Sequence, residues 1–300
     1  MKTYLSMLLL LGLVAACDSS GNSEDGDQHS VQLSFTGLEP LTNGFHYEGW
    51  AIIGGSAVTT GKFNVNAAGQ LTTLAGATIA NNTFEVDTDL HDASAIVLTI
   101  EPSGDTDTMP SDVHYLGGDL SNDQAVLTVA HSAALGNSFA AATGKYILAT
   151  PTDDPAGNET SGIWFVDLAS GSPAAGLNLP TLPAGWRYEG WAVVGGQAVT
   201  TGTFTASNVA DMAAPFSGIV AGPPFPGEDF LRNAPAGLSF PTSLAGGMAV
   251  ISIEPFPDND PGPFTLKPLV GSIGGAATDH VTYTIPNAAS GFPTGTARVF

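Results

Sequence analysis

The sequence predicts an all-β protein built from two tandem β-sandwich-like domains, and three observations carry that prediction. The chain of 300 residues holds 37 glycines and 21 prolines. The apolar segments between them are short and rich in β-branched and aromatic residues, the pattern of strands closed by turns. No segment sustains the apolar stripe of an amphipathic helix, although 131–142 has room for a short turn or two. Finally, YEGWAIIGGSAVTTGKF at 47–63 returns as YEGWAVVGGQAVTTGTF at 188–204, with 13 of 17 positions identical and two of the four changes Ile to Val. Chance would leave about one identity, so the pair reads as an internal duplication.

Taken in chain order, residues 1–16 read as a cleaved signal peptide: Lys2, an apolar run from Tyr4 to Val14, then small residues. The run is shorter than the roughly 20 apolar residues that a membrane span needs. Leu13-Val14-Ala15-Ala16-Cys17 resembles the lipobox of bacterial lipoproteins. That resemblance implies cleavage before Cys17 and a diacylglyceryl group on its thiol. Cys17 is the single cysteine of the chain, so no intramolecular disulfide competes for it. Two or more acyl chains, at about 0.8 kcal/mol per buried methylene, make a stable anchor. Residues 17–30, of Ser, Gly and acids, are expected to form the lipidated start and a disordered tether. Its r.m.s. reach is about 20 Å, from roughly 5–6 Å × √n. The expected location is the cell envelope, lipid-anchored and extracytoplasmic, facing the periplasm or the surface.

The first β-sandwich domain is expected over 31–150 and the second over 162–300, with the Pro/Asp/Gly-rich segment 151–161 as linker. Strands are expected at SVQLSF, YEGWAII, AIVLTI, QAVLTVA, KYILA, GIWFVDL, YEGWAVV, MAVISI and HVTYTI. In the repeated stretch, two strand-like runs flank Gly54-Gly55, the mark of a tight hairpin with positive φ at both turn positions. Tyr47 and Trp50 fall on opposite faces, so this strand should be covered on both sides. Gly49 and Gly190, in mid-strand, point to a bulge or a close backbone approach. A second landmark, LTIEP at 98–102, recurs as ISIEP at 251–255. The span from Tyr47 to Glu101 is 54 residues and that from Tyr188 to Glu254 is 66, so the second copy holds about 12 more. They fall around 218–240, a Pro- and Phe-rich stretch expected as a long loop, either functional or mobile.

These landmarks together resemble the C-terminal, extracytoplasmic domain of anti-sigma-K factors. The resemblance rests on Tyr47, Trp50, Gly61, Phe63, Glu101 and Pro102 in the first copy, and on Tyr188, Trp191, Gly202, Phe204, Glu254 and Pro255 in the second. It extends to the lead-ins LEPLTNGFHYEGW and LPTLPAGWRYEGW, of which the second is the closer match. The resemblance implies an extracytoplasmic β-sandwich module. Family members that restrain a sigma factor join this domain, through a transmembrane helix, to a cytoplasmic segment; no such segment is read in this sequence, so that activity is not expected to transfer.

Composition narrows the partners. With 7 Lys+Arg against 28 Asp+Glu the formal charge is −21, and removal of 1–16 would take Lys2 alone and make it −22. Polyanions, nucleic acid among them, are therefore not expected partners. Among catalytic candidates, Glu48/Glu189 and Glu101/Glu254 survive in both copies. A carboxylate pair could serve acid–base chemistry, but a strand Glu beside Tyr or before Pro more simply faces water or accepts a nearby loop N–H. Of six histidines, His46 aligns with Arg187, and His91, His114, His131 and His280 have no evident twin. No His-x-His or His-Glu-x-x-His spacing occurs, so no transition-metal site is expected. The acidic loops 87–89, 105–112 and 258–260 offer oxygen ligands that suit weak calcium binding, without an EF-hand pattern. The reading is a non-enzymatic, cofactor-free binding or regulatory module with an envelope protein as partner; the alternative is a structural or adhesive envelope lipoprotein that binds calcium weakly.

Overall fold

The computed structural model describes residues 28–258 and 260–300. The expected signal peptide, Cys17 and the tether up to 27 lie outside the described residues. The three last tether positions are already engaged: the Gln28 N–H donates to Asp89 Oδ1 at 2.8 Å, and Ser30 opens the first strand.

The chain is all-β. Its strands are β1 (Ser30–Thr36), β2 (His46–Ile53), β3 (Ser56–Val65), β4 (Leu71–Thr72), β5 (Thr83–Glu85), β6 (Ala93–Glu101), β7 (His114–Asp119), β8 (Gln124–Thr128), β9 (Thr143–Leu148) and β10 (Gly162–Trp164). There follow β11 (Val166–Asp167), β12 (Ala174–Ala175), β13 (Leu177–Asn178), β14 (Trp186–Val194), β15 (Gln197–Phe204), β16 (Gly227–Asp229), β17 (Met248–Pro255), β18 (Leu269–Ser272), β19 (Tyr283–Ile285) and β20 (Thr294–Val299). A nine-stranded antiparallel sheet runs β4-β3-β2-β6-β7-β8-β20-β1-β5. A four-stranded sheet, β15-β14-β17-β18, repeats the order β3-β2-β6-β7 of the first. A third joins β13, β9, β10 and β16, with β19 also on β9. No helix among the described residues is long and apolar enough to cross a membrane.

The repeated sequence forms the same hairpin twice, residue for residue. Tyr47 pairs with Phe63, Gly49 with Gly61 and Trp50 with Thr59; Tyr188 pairs with Phe204, Gly190 with Gly202 and Trp191 with Thr200. In each, the register slips after the mid-strand glycine, leaving Thr60 or Thr201 as the extra residue of a β-bulge. Gly61 and Gly202, at φ +130° and +110°, follow that residue in backbone that side chains disfavour. The turns Gly54-Gly55 and Gly195-Gly196 have positive φ at both positions, as the tight hairpin requires. Strand β2 is covered on both faces over His46–Ala51.

Pairing crosses the segment 151–161. Strand β9 bonds to β10, β13 and β19, and β20, from the end of the chain, lies between β8 and β1. The core is likewise shared. Tyr47 stacks on Tyr115, whose ring meets Trp186 at 5.8 Å and Phe264 at 5.5 Å. The Trp186 indole N–H also donates to the His114 carbonyl at 3.1 Å. The segment 218–240 is ordered and packed rather than a bare loop. It carries β16, and Phe230 and Phe240 join Phe216 in an aromatic cluster with ring centroids 5.3–5.8 Å apart. Seven aromatic or proline side chains in that stretch give it enough apolar surface to order itself.

Candidate functional site

The residues singled out from the repeat form twin polar seams, one under each hairpin. The Tyr47 hydroxyl donates to the Glu39 carbonyl at 2.8 Å, and that of Tyr188 to the Pro180 carbonyl at 2.7 Å. Each tyrosine thus fixes its own lead-in eight residues upstream, while its ring stacks on Phe63 or Phe204 at 5.6 Å. On the other face, the Trp50 indole donates to Thr99 Oγ1 at 2.8 Å and the Trp191 indole to Ser252 Oγ at 2.7 Å. Those hydroxyls donate in turn to Glu101 and Glu254. The carboxylates then accept a loop N–H, Ser111 at 3.1 and 3.2 Å and Phe264 at 2.9 and 3.2 Å. Pro102 and Pro255 end the strand beyond them.

Glu48, Glu101, Glu189 and Glu254 are all buried. The alternative that a strand Glu faces water is therefore corrected; the hydrogen bond to a following loop is what Glu101 and Glu254 make. Burial is affordable because a buried polar group with partners avoids most of the desolvation cost. Glu48 and Glu189 accept the hydroxyls of Thr59 and Thr200. Burial pushes Glu189 up to about 7 and Glu254 up to about 8, against the pull of their hydroxyl donors. The acidic loops serve as turn acceptors: Asp89 takes the N–H of Gln28 and His91, Asp107 that of Met109, and Asp260 that of Gly262. Asn259 lies outside the described residues.

The two seams differ at their outer rims. In the first copy the Lys62 ammonium lies 3.4 Å from Glu48 Oε2 and 2.7 Å from Asp105 Oδ2. One ring nitrogen of His46 and one carboxylate oxygen each of Glu48 and Asp105 lie within 4.8 Å of one another. In the second copy Thr203 stands opposite Glu189 where Lys62 stands opposite Glu48, and Arg187 stands opposite Glu254 where His46 stands opposite Glu101. Arg187 turns outward, its guanidinium 3.4 Å above the Phe256 ring.

A third feature belongs to the second copy alone. Residues 210–223 arch beside Thr152, Trp164 and Gly227 and with them line an open cleft of about 380 Å³. Two buried acids, Glu228 and Asp229 on β16, fasten this arch to the body. Asp229 accepts the Thr152 N–H at 2.7 Å, the Trp164 indole at 2.7 Å and the Thr152 hydroxyl. Glu228 accepts the Ser217 hydroxyl. Asp211, in the cavity wall, takes the Gly227 N–H at 3.0 Å and is pushed up to about 7 by burial, with Glu228 adding to the shift. Glu228 is also raised to about 7 by burial. Beside the cavity, Met212, Ile219 and Val220 are exposed, Ile219 at 82 %. Glu228 and Asp229 are hidden in the sequence because GED within a Pro/Gly-rich stretch looks like a solvated turn. The flanking Phe225 and Phe230 were the available signal.

The chain matches no family model, no curated protein and no solved structure.

Proposed function

We propose that this chain is a lipid-anchored, extracytoplasmic binding module of the anti-sigma-K C-terminal type, without enzymatic activity, which engages an envelope protein through the arch of its second copy. The observation that carries the reading is the cavity walled by Asp211 and flanked by exposed Met212, Ile219 and Val220. Large apolar side chains left in water beside a pocket mark a contact surface more often than a passive one. Glu101 and Glu254 support a non-enzymatic reading, since their carboxylates are engaged by internal hydrogen bonds beneath the sheet. The lipobox-like Leu13–Cys17 supports tethering, and with a tether of about 20 Å the arch stays within reach of membrane-bound partners.

The test is co-purification of the full-length lipoprotein from its own membranes in mild detergent, with partners identified by mass spectrometry. Cys17→Ala controls for anchoring, and an Ile219→Asp/Val220→Asp double variant controls for the arch. One envelope protein recovered repeatedly with the parent and lost with the double variant supports the reading. Recovery that is indifferent to the double variant overturns it.

A further inference from the structure

We propose that the first copy contains a zinc site formed by His46, Glu48 and Asp105, and that the ammonium of Lys62 competes with the metal for it. The three residues come from two elements. His46 and Glu48 share one face of β2, and Asp105 sits on the turn that follows β6. Their ligand atoms lie within 4.8 Å of one another. Zinc ligands at roughly 2.0–2.2 Å from the ion stand about 3.4 Å apart in a tetrahedron. The set therefore has to close by an ångström or so, which the turn bearing Asp105 can supply.

An acidic pair beside a lysine would be ordinary; the histidine makes this cluster different. His46 is 4 % exposed, and its Nε2 is buried with no hydrogen-bond partner. Its Nδ1 has only the Gly44 carbonyl, at 3.5 Å. Buried nitrogens are normally paired, because leaving one unmet forfeits its hydration. Glu48 Oε2 is in the same position: buried, without a hydrogen bond, and neutralised only by the ammonium 3.4 Å away. An imidazole nitrogen with two carboxylates is a donor set that suits zinc, with water completing the shell. A cleft of about 290 Å³ lined by Thr42, Asn43, Phe45 and Asn64 also borders His46 on one side of the cluster.

Lys62 supplies the counter-charge for both carboxylates, and its Nζ also donates to the Asp105 carbonyl at 3.3 Å. Its side chain is 28 % exposed, so it can swing into solvent when a divalent ion takes its place. Binding is then an exchange of one ammonium for one metal ion. The second copy supplies an internal control. There Arg187 replaces His46, and a guanidinium, always protonated, cannot ligate a metal. The expected stoichiometry is one ion per chain.

The experiment uses the full chain with Cys17→Ala, which removes the one thiol that would bind metal on its own. Zn²⁺ binding is measured by equilibrium dialysis, and Co²⁺ is titrated in parallel for its visible absorption. One ion per chain is expected, tightened about tenfold or more by Lys62→Met and lost in both His46→Gln and Asp105→Asn. Asp105 sits on a turn whose neighbours Gly104 and Thr106 are exposed, and asparagine keeps its shape, so its variant keeps the test valid should the buried His46 variant fail to fold. Binding that survives Asp105→Asn, or that Lys62→Met leaves unchanged or weakens, overturns the proposal, as does the absence of any stoichiometric ion in Lys62→Met.

Discussion

Replacing Glu254 by Gln tests the physical account of the second seam. The carboxyl titrates near 4.5 in an unfolded chain and at about 8 in the folded one, chiefly because it is buried. The Ser252 hydroxyl and the Phe264 N–H pull the value down, and the charges of Glu189 and Asp258 push it up. Between those two pH values the folded chain keeps a proton that the unfolded chain has released. The stability contributed by this group is therefore complete below pH 4.5 and declines as pH rises toward 8. At about 1.4 kcal/mol per unit, the loss between pH 5 and pH 8 comes to about 3 kcal/mol. Glutamine is close in shape to the protonated acid: its carbonyl, placed where Oε1 lies, accepts from both the Ser252 hydroxyl and the Phe264 N–H. The exchange should cost about 1 kcal/mol at pH 5. Urea denaturation of parent and Glu254→Gln at pH 5, 6, 7 and 8 should then give curves that cross. The variant is slightly the weaker at pH 5 and the stronger by about 2 kcal/mol at pH 8. Glu39, Asp211 and Glu228, each raised to about 7 by burial, tilt both proteins alike. A difference that stays constant from pH 5 to pH 8 would refute the reasoning.

Three further outcomes are expected. Gly190→Ala should destabilise by about 1–3 kcal/mol in urea melts, because the new Cβ meets Thr201 Oγ1 and stands 2.6 Å from Phe165 Cε2; Gly49→Ala, which meets Thr60 Oγ1 but has only Leu33 Cδ1 at 3.5 Å beyond it, should cost less. Deleting 294–300 removes the strand that joins β8 to β1, so that chain, and an isolated 31–150 fragment, should lose the cooperative thermal transition of the whole; two independent transitions in the intact protein would contradict the shared core. Thr203→Lys places an ammonium opposite Glu189, as Lys62 stands opposite Glu48, and should raise stability at pH 8 by about 0.2–1 kcal/mol, with little gain at pH 5 where Glu189 is protonated.

The sequence made the local geometry legible because local chemistry dictates it. Paired glycines allow one kind of hairpin turn, a mid-strand glycine beside an extra threonine marks a bulge, and a tyrosine opposite a phenylalanine stacks across the pair. Long-range closure left no comparable mark. Nothing in TGTARV says that it returns to lie between β8 and β1, because alternating small and apolar residues fit any half-buried strand equally well. The buried acids of the arch leave no mark in the sequence for a related reason. Glu228 and Asp229 are buried because Ser217, Thr152 and Trp164 converge on them from distant segments, and a polar residue's partners cannot be seen from its neighbours in the chain. His46 was set aside for want of a twin and of a recognised spacing. Its neighbour Asp105 reaches it only because β2 and β6 are paired.

The differences between the copies follow from how each answers the same buried charge. A carboxyl beneath a sheet needs hydrogen bonds, a cation or a proton. Both copies supply the hydroxyl, from Thr59 or Thr200. The first adds a cation, Lys62, which also ties down the turn bearing Asp105. The second adds none at the equivalent position, and Glu189 answers with a proton, titrating at about 7. Asp211 and Glu228, which wall and fasten the arch, titrate in that same range. A rise from pH 6 to pH 8 therefore charges Glu189, Asp211 and Glu228 together, all of them in the half that bears the cavity. The repeated residues hold the fold, and the chemistry that a ligand could meet sits where the repeat breaks: an imidazole and an ammonium in one copy, an arch with two buried acids and a half-buried one in the other.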